Sequence, residues 1–230
     1  MRFVLTLLLM LVAAPAWAGA LEDAAAASTR GDYADKLEII RPFAAKGSAW
    51  AQFSLGVMYH RGEGVAKDAA KAAEWYEKAA VQGDEHAQYN LGLMYTEGQG
   101  VVQDHAEAAK WLRLAAAQGV AQAQYNLGAM YAAGQGVVQD YTEVVKWFRL
   151  AAAQGLAQAQ YHLGVRYAAG QGVPRDMVRA HMWFNLAAAR GDARALKNRD
   201  IAASIMTPEQ MAEAQKMARE CQARKFKGCD

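Results

Sequence analysis

Apolar and polar positions alternate along most of this chain with a helical period, and the pattern itself repeats. In AQAQYNLGAMYAAG, residues 121–134, Ala123, Leu127, Met130 and Tyr131 fall at the spacing of one helix face. The run ends in a GxG pair, Gly134 and Gly136, where glycine can take positive φ and stop a helix. Asp140 then offers an N-cap, and a second helix follows. In the preceding copy that second helix ends WLRLAAAQG, with Trp111 and Ala115 on one face and Gly119 closing it.

The spacing between copies is constant. Gly56, Gly92, Gly128 and Gly164 lie 36 residues apart, as do Trp75, Trp111, Trp147 and Trp183, and Gly83, Gly119, Gly155 and Gly191. Between them recur Gly62/Gly64, Gly98/Gly100, Gly134/Gly136 and Gly170/Gly172, followed by Asp68, Asp104, Asp140 and Asp176. A glycine inside a helix costs about 1 kcal/mol relative to alanine. Its return in every copy predicts close helix–helix approach, with a large ring of the second helix over the gap. The tryptophans are expected in the core and the aspartates at helix caps. Asp104 with Glu107, and Asp140 with Glu143, have the spacing of reciprocal capping boxes. GQGVVQD lacks the third glycine and the preceding strand of a phosphate-cradling loop.

Such a unit buries its apolar face only by stacking, so the terminal units should differ. Residues 19–47 form a degenerate first unit, with Asp32 and Gly47 in register and Ile39 at the tryptophan position. Residues 48–83, 84–119, 120–155 and 156–191 are the full repeats, and 192–230 read as capping helices. The last of these has Thr207 as N-cap, Pro208 in the first turn and Gln210 completing a box.

Residues 1–18 fall outside this pattern. Arg2, an apolar run from Phe3 to Ala14, and small residues at Ala16 and Ala18 have the layout of a secretory signal cleaved after Ala18. An uncleaved anchor is the competing reading, but the run stops at Pro15, short of the ~20 apolar residues of a span. The remaining chain is expected to have no stable membrane insertion. Of 25 lysines and arginines only Arg2 lies in the leader, so 24 face 23 acidic residues, a balance that argues against nucleic acid as a partner. Cys221 and Cys229, the only cysteines, read as a disulfide in an exported protein, with two free thiols on a frayed tail as the alternative.

AQYNLGLMYTEGQGVVQDHAEAAKWLRLAAAQG (residues 87–119) and its neighbours strongly resemble the Sel-one-like repeat family, a relative of the tetratricopeptide repeats. The resemblance implies an all-α, right-handed α/α solenoid of 36-residue helix-turn-helix repeats, periplasmic or secreted, that binds partners rather than catalyses. Some cysteine-rich members bind penicillin-like compounds through a scaffold with a disulfide in each repeat, and this chain has no cysteine inside its repeats.

Nothing in the chain points to catalysis or to a cofactor. His60, His86, His105, His162 and His181 occupy unlike repeat positions, and neither HExxH nor GxSxG occurs. By resemblance to tetratricopeptide repeats, the residue before LG faces a concave groove: Ser54, Asn90, Asn126 and His162. Four residues earlier, on the same helical face, stand Trp50, His86, Gln122 and Gln158. These eight are either a ladder of amide and imidazole groups for an extended peptide or a merely solvated polar stripe. A non-enzymatic scaffold for a protein or peptide partner is the leading expectation. An envelope hydrolase or antibiotic-binding enzyme, and a cell-wall glycan binder, are the alternatives.

Overall fold

The computed structural model describes residues 16–229, with side chains from Gly19 onward. Residues 1–15, most of the expected signal segment, lie outside the described residues. Two helices come first, α1 (Ala16–Arg30) and α2 (Tyr33–Ala45). Four hairpins follow: α3 (Ala49–Arg61) with α4 (Ala69–Ala80), α5 (Glu85–Glu97) with α6 (His105–Ala117), α7 (Ala121–Ala133) with α8 (Tyr141–Ala153), and α9 (Ala157–Ala169) with α10 (Met177–Ala188). The chain closes with α11 (Ala193–Ser204) and α12 (Pro208–Ala223), and the described residues contain no strand.

Within each hairpin the missing Cβ of the helical glycine sets the distance. A methyl group on Gly128 would lie 2.8 Å from Cδ1 and Cε1 of Phe148, closer than real contacts allow. Tyr76, Leu112 and Phe184 fill the same notch opposite Gly56, Gly92 and Gly164. The group in the gap is therefore the residue after each tryptophan, a ring in three hairpins and a leucine in the second. Gly134 ends α7 in the left-handed region at φ 67°, and its amide donates to the Met130 carbonyl. Gly136 has another role: a Cβ there would collide with the carbonyl of His105, the first residue of α6 in the preceding hairpin. The second glycine of GxG thus seats one hairpin's loop on its neighbour.

Asp68, Asp104, Asp140 and Asp176 cap the second helices by accepting backbone N–H bonds. The reciprocal half of the expected boxes at Glu107 and Glu143 is a correction. The N–H groups of Asp104 and Asp140 donate to the carbonyls of Tyr95 and Tyr131 in the preceding helix, at 3.0 and 3.3 Å. With the cap amide already satisfied, Glu107 pairs with Lys110 at 3.1 Å, and Glu143 pairs with Lys146 and accepts from Trp147 Nε1. At Thr207 and Gln210 the full box forms.

The tryptophans join hairpins rather than fill their own. Trp75 packs on the Leu37, Ile40 and Leu55 core, Trp111 on the Tyr76 and Leu91 core, and Trp147 on the Leu112 and Leu127 core. Trp183, 2 % exposed, is sealed among Phe148, Leu163 and Phe184. A second tie is polar. Gln88 and Gln124, buried, donate to the carbonyls of Ala80 and Ala116 in the previous hairpin at 3.0 and 3.1 Å. Their side-chain oxygens accept from Gln118 and Gln154, which also donate to Gly83 and Gly119. At the last junction Arg190 replaces the outer glutamine and bonds Gly155, leaving Gln160 Oε1 without a partner among the described residues.

At the C-terminus Cys221 and Cys229 form a disulfide, and both are buried against the Trp183 and Tyr167 core with Ala218. The closed turn covers apolar surface that a further repeat would otherwise bury.

Two outcomes follow. Gly128→Ala should destabilise the protein by about 1–2 kcal/mol in urea unfolding, because overpacking against Phe148 outweighs the helix-propensity gain. Reducing the disulfide, whose cysteines have a sequence separation of 8, should cost about 2–3 kcal/mol in the same measurement.

Candidate functional site

The face carried by the first helix of each hairpin is where side chains of successive repeats meet directly. Phe53, Tyr89, Tyr125 and Tyr161, one per repeat, are all half-buried. Each reaches a polar residue of the next first helix. The Phe53 ring lies 5.9 Å from His86, and Tyr125 lies 5.7 Å from His162. Tyr89 neighbours Asn126, and the Tyr161 hydroxyl accepts from Asn198 Nδ2 at 3.4 Å. α3 and α5 are themselves in contact.

This arrangement places the eight sequence-predicted residues as follows. Ser54, Asn90, Asn126 and His162 form a half-buried row, one per hairpin, and His86, Gln122 and Gln158 are exposed beside it. Trp50 differs. It packs on Phe43 with ring centroids 5.9 Å apart, and its Nε1 is sealed from solvent with no partner among the described residues. Its neighbour is the degenerate first unit, so it meets an apolar surface where the others meet solvent.

The row also runs one unit further than the eight residues. Asn198 and Arg194 stand 36 residues beyond His162 and Gln158. The Arg194 guanidinium lies 4.5 Å over the Tyr161 ring and is held by Asp192, which accepts from it at 2.8 Å. Extending the register past residue 191 finds both positions. The buried glutamines Gln52, Gln88, Gln124 and Gln160 carry the same interval, a signal hidden only by the habit of reading glutamine as a surface residue.

Burial controls the electrostatics of this face. It pushes the Tyr76 hydroxyl up to about 12, against the opposing influence of Arg61 and Asn90. It also raises Tyr89 and Tyr125, with Asn126 and Arg194 respectively opposing. His162, within 5.7 Å of Tyr125 and Phe148 and 5.0 Å of Tyr161, is held below the usual histidine value. Burial is the largest cause, Arg194 and Arg166 add to it, and Asp192 opposes them. At neutral pH the row therefore presents neutral amides and a neutral imidazole. Among the described residues no three His, Cys, Asp or Glu side chains converge as metal ligands, and no helix is long and apolar enough to cross a membrane.

The sequence profile of the Sel1 repeat matches residues 51–84, 85–120, 121–156 and 157–192. Among solved structures, a Sel1 repeat protein from Oxalobacter formigenes is 32% identical with a TM-score of 0.75, covering 86% of this chain and 84% of its own. A protective antigen present in uropathogenic Escherichia coli strains, displaying an SLR fold, is 31% identical with a TM-score of 0.55. That match covers 85% of this chain but 50% of the antigen, so this chain spans about half the antigen's length. No curated protein matches the chain.

Because the folded pKa of His162 is depressed, the unfolded chain binds more protons than the folded one once pH falls below the ordinary histidine range. Stability should therefore fall as pH drops from about 7 to about 5. His162→Asn, which installs the residue of the two preceding repeats, should flatten that slope in melting temperature against pH.

Proposed function

The chain belongs to the Sel1 repeat family, and we propose that it is a non-enzymatic scaffold, working outside the cytoplasm, that holds an extended protein segment along its first-helix face. The observation that carries this reading is the register of the polar row. Asn90, Asn126, His162 and Asn198 recur at one fixed interval on successive first helices, so a bound strand would meet the same chemistry at each step. An extended backbone offers one donor and one acceptor per residue. A side-chain amide answers both.

These side chains are also ordered before any ligand arrives. Asn198 is tied to Tyr161 through one valence, leaving others open, and Asn126 is half-buried beside Tyr89. Less side-chain entropy is then lost on binding. The exposed row of His86, Gln122, Gln158 and Arg194 would form the rim. The export reading draws on the leader at residues 1–18 and on the buried Cys221–Cys229 disulfide, a bond that persists in oxidising compartments. The Tyr125 and Tyr161 rings are engaged on Phe148 and Phe184 of their own hairpins, and Tyr125 also on His162 of the next, which leaves less flat surface for a sugar and favours peptide over glycan.

A photo-crosslinking amino acid placed at Gln122 should give a discrete adduct in cells, and one at Leu114, exposed on α6, should not. Adding Asn90→Ala and Asn126→Ala should abolish the Gln122 adduct without changing the helical melt. Equal labelling from both sites, or an adduct indifferent to the alanines, would dismiss the groove.

A further inference from the structure

The register that builds the hairpins also shows where they stop closing. Gly56, Gly92, Gly128 and Gly164 are followed, 36 residues on, by Asp200. α11 keeps features of a first-type helix, with Asp192 at its N-cap and Asn198 in the polar row, although Leu196 and Arg199 stand where the buried glutamine and leucine recur. With a carboxylate in place of the notch, the next helix cannot settle against α11 as α10 settles against α9. α12 packs instead on α10. At their joined end Ala202, Met206 and Ala214 seal the three helices together. Beyond that seal the helices diverge and leave a cleft of about 500 Å³.

Most of the residues lining the cleft are polar or charged, and they come from all three helices. His181 and Asn185 of α10 form the floor, Arg199 and Asp200 of α11 one side, and Gln215 and Arg219 of α12 the other. His181 is 4 % exposed, and its Nδ1 has no hydrogen-bond partner among the described residues. An imidazole buried to that degree and left unsatisfied is costly in a closed core. Arg199 is held in place, donating from Nε and Nη2 to Asp200 at 3.0 and 2.7 Å, which leaves Nη1 to reach elsewhere. Two guanidinium groups against one carboxylate give the walls a net charge of +1, with His181 neutral. Burial and Arg199 hold the His181 imidazole below its ordinary value, with Asp200 opposing.

We propose that this cleft is a binding site for a small hydroxylated monocarboxylate. The net charge selects a monoanion, and planar guanidinium groups match a carboxylate. Asn185, Gln215 and Asp200 supply donors and acceptors suited to hydroxyls. Met211 and Ala203 are the two apolar residues among those that line it. The site lies at the junction of the last hairpin with its cap and does not depend on the groove reading.

Calorimetric titration of the purified protein with sodium gluconate, against sodium phosphate and sodium chloride at fixed ionic strength, tests this. Gluconate should bind saturably below about 10 mM, the weak-ligand range, and neither phosphate nor chloride should match it. Arg219→Gln should weaken gluconate at least about tenfold, the scale of a charge-assisted pair. Lys216→Gln, the same charge change on the same helix outside the cleft, should leave affinity within about twofold. The inference fails if gluconate shows no saturation, if phosphate binds more tightly, or if the two variants behave alike with unchanged melts.

Discussion

One absent carbon atom governs this architecture. Where Gly56, Gly92, Gly128 and Gly164 face Tyr76, Leu112, Phe148 and Phe184, two helix backbones approach closely enough for one side chain to fill the space between them. That contact fixes the separation and rotation of the two helices, and the residues beside it inherit their directions. The tryptophan one position earlier is turned toward the neighbouring hairpin, and the aspartate cap lies where its amide meets a tyrosine carbonyl. A helix-propensity loss of about 1 kcal/mol per glycine is small beside the burial of an aromatic ring.

The cohesion between hairpins is of two kinds. Trp111 and Trp147 contribute non-directional burial, which tolerates sliding. Gln118 and Gln154 contribute directional bonds, each to a buried glutamine and a turn carbonyl, which do not. A slip of one residue would strand several buried amides at once, so polar groups set the register that apolar groups stabilise. At the last junction Arg190 keeps the carbonyl bond and abandons the glutamine, and Gln160 Oε1 has no partner there among the described residues. The repeat therefore begins to lose its rules before its last helix is reached.

Much of this was legible in the chain because packing demands recur in register while other demands do not. The glycines, the caps and the existence of a ring over the gap all follow from a fixed interval. The identity of that ring does not, since Tyr76, Leu112, Phe148 and Phe184 vary and the invariant tryptophan beside them draws the eye. Asp104 and Asp140 had the spacing of boxes, yet spacing cannot reveal that a carbonyl from another helix already occupies the cap amide. In the polar row Asn90 and Asn126 could be placed on one face from sequence. Trp50 could not be separated from them, because its different surroundings come from the unit before it. Asn198 and Asp200 were within reach of the same interval, hidden only by ending the count at residue 191.

The seat that Gly136 takes on His105 is built like the one that Gly100 takes on Ala69 and Gly172 takes on Tyr141. The three interior junctions thus share one loop seat, the last of them with Arg190 in place of the outer glutamine. Removing or duplicating one 36-residue segment between such joints would bring together surfaces already shaped to fit. Evolution can in this way lengthen or shorten the molecule by whole modules while its two ends stay as they are.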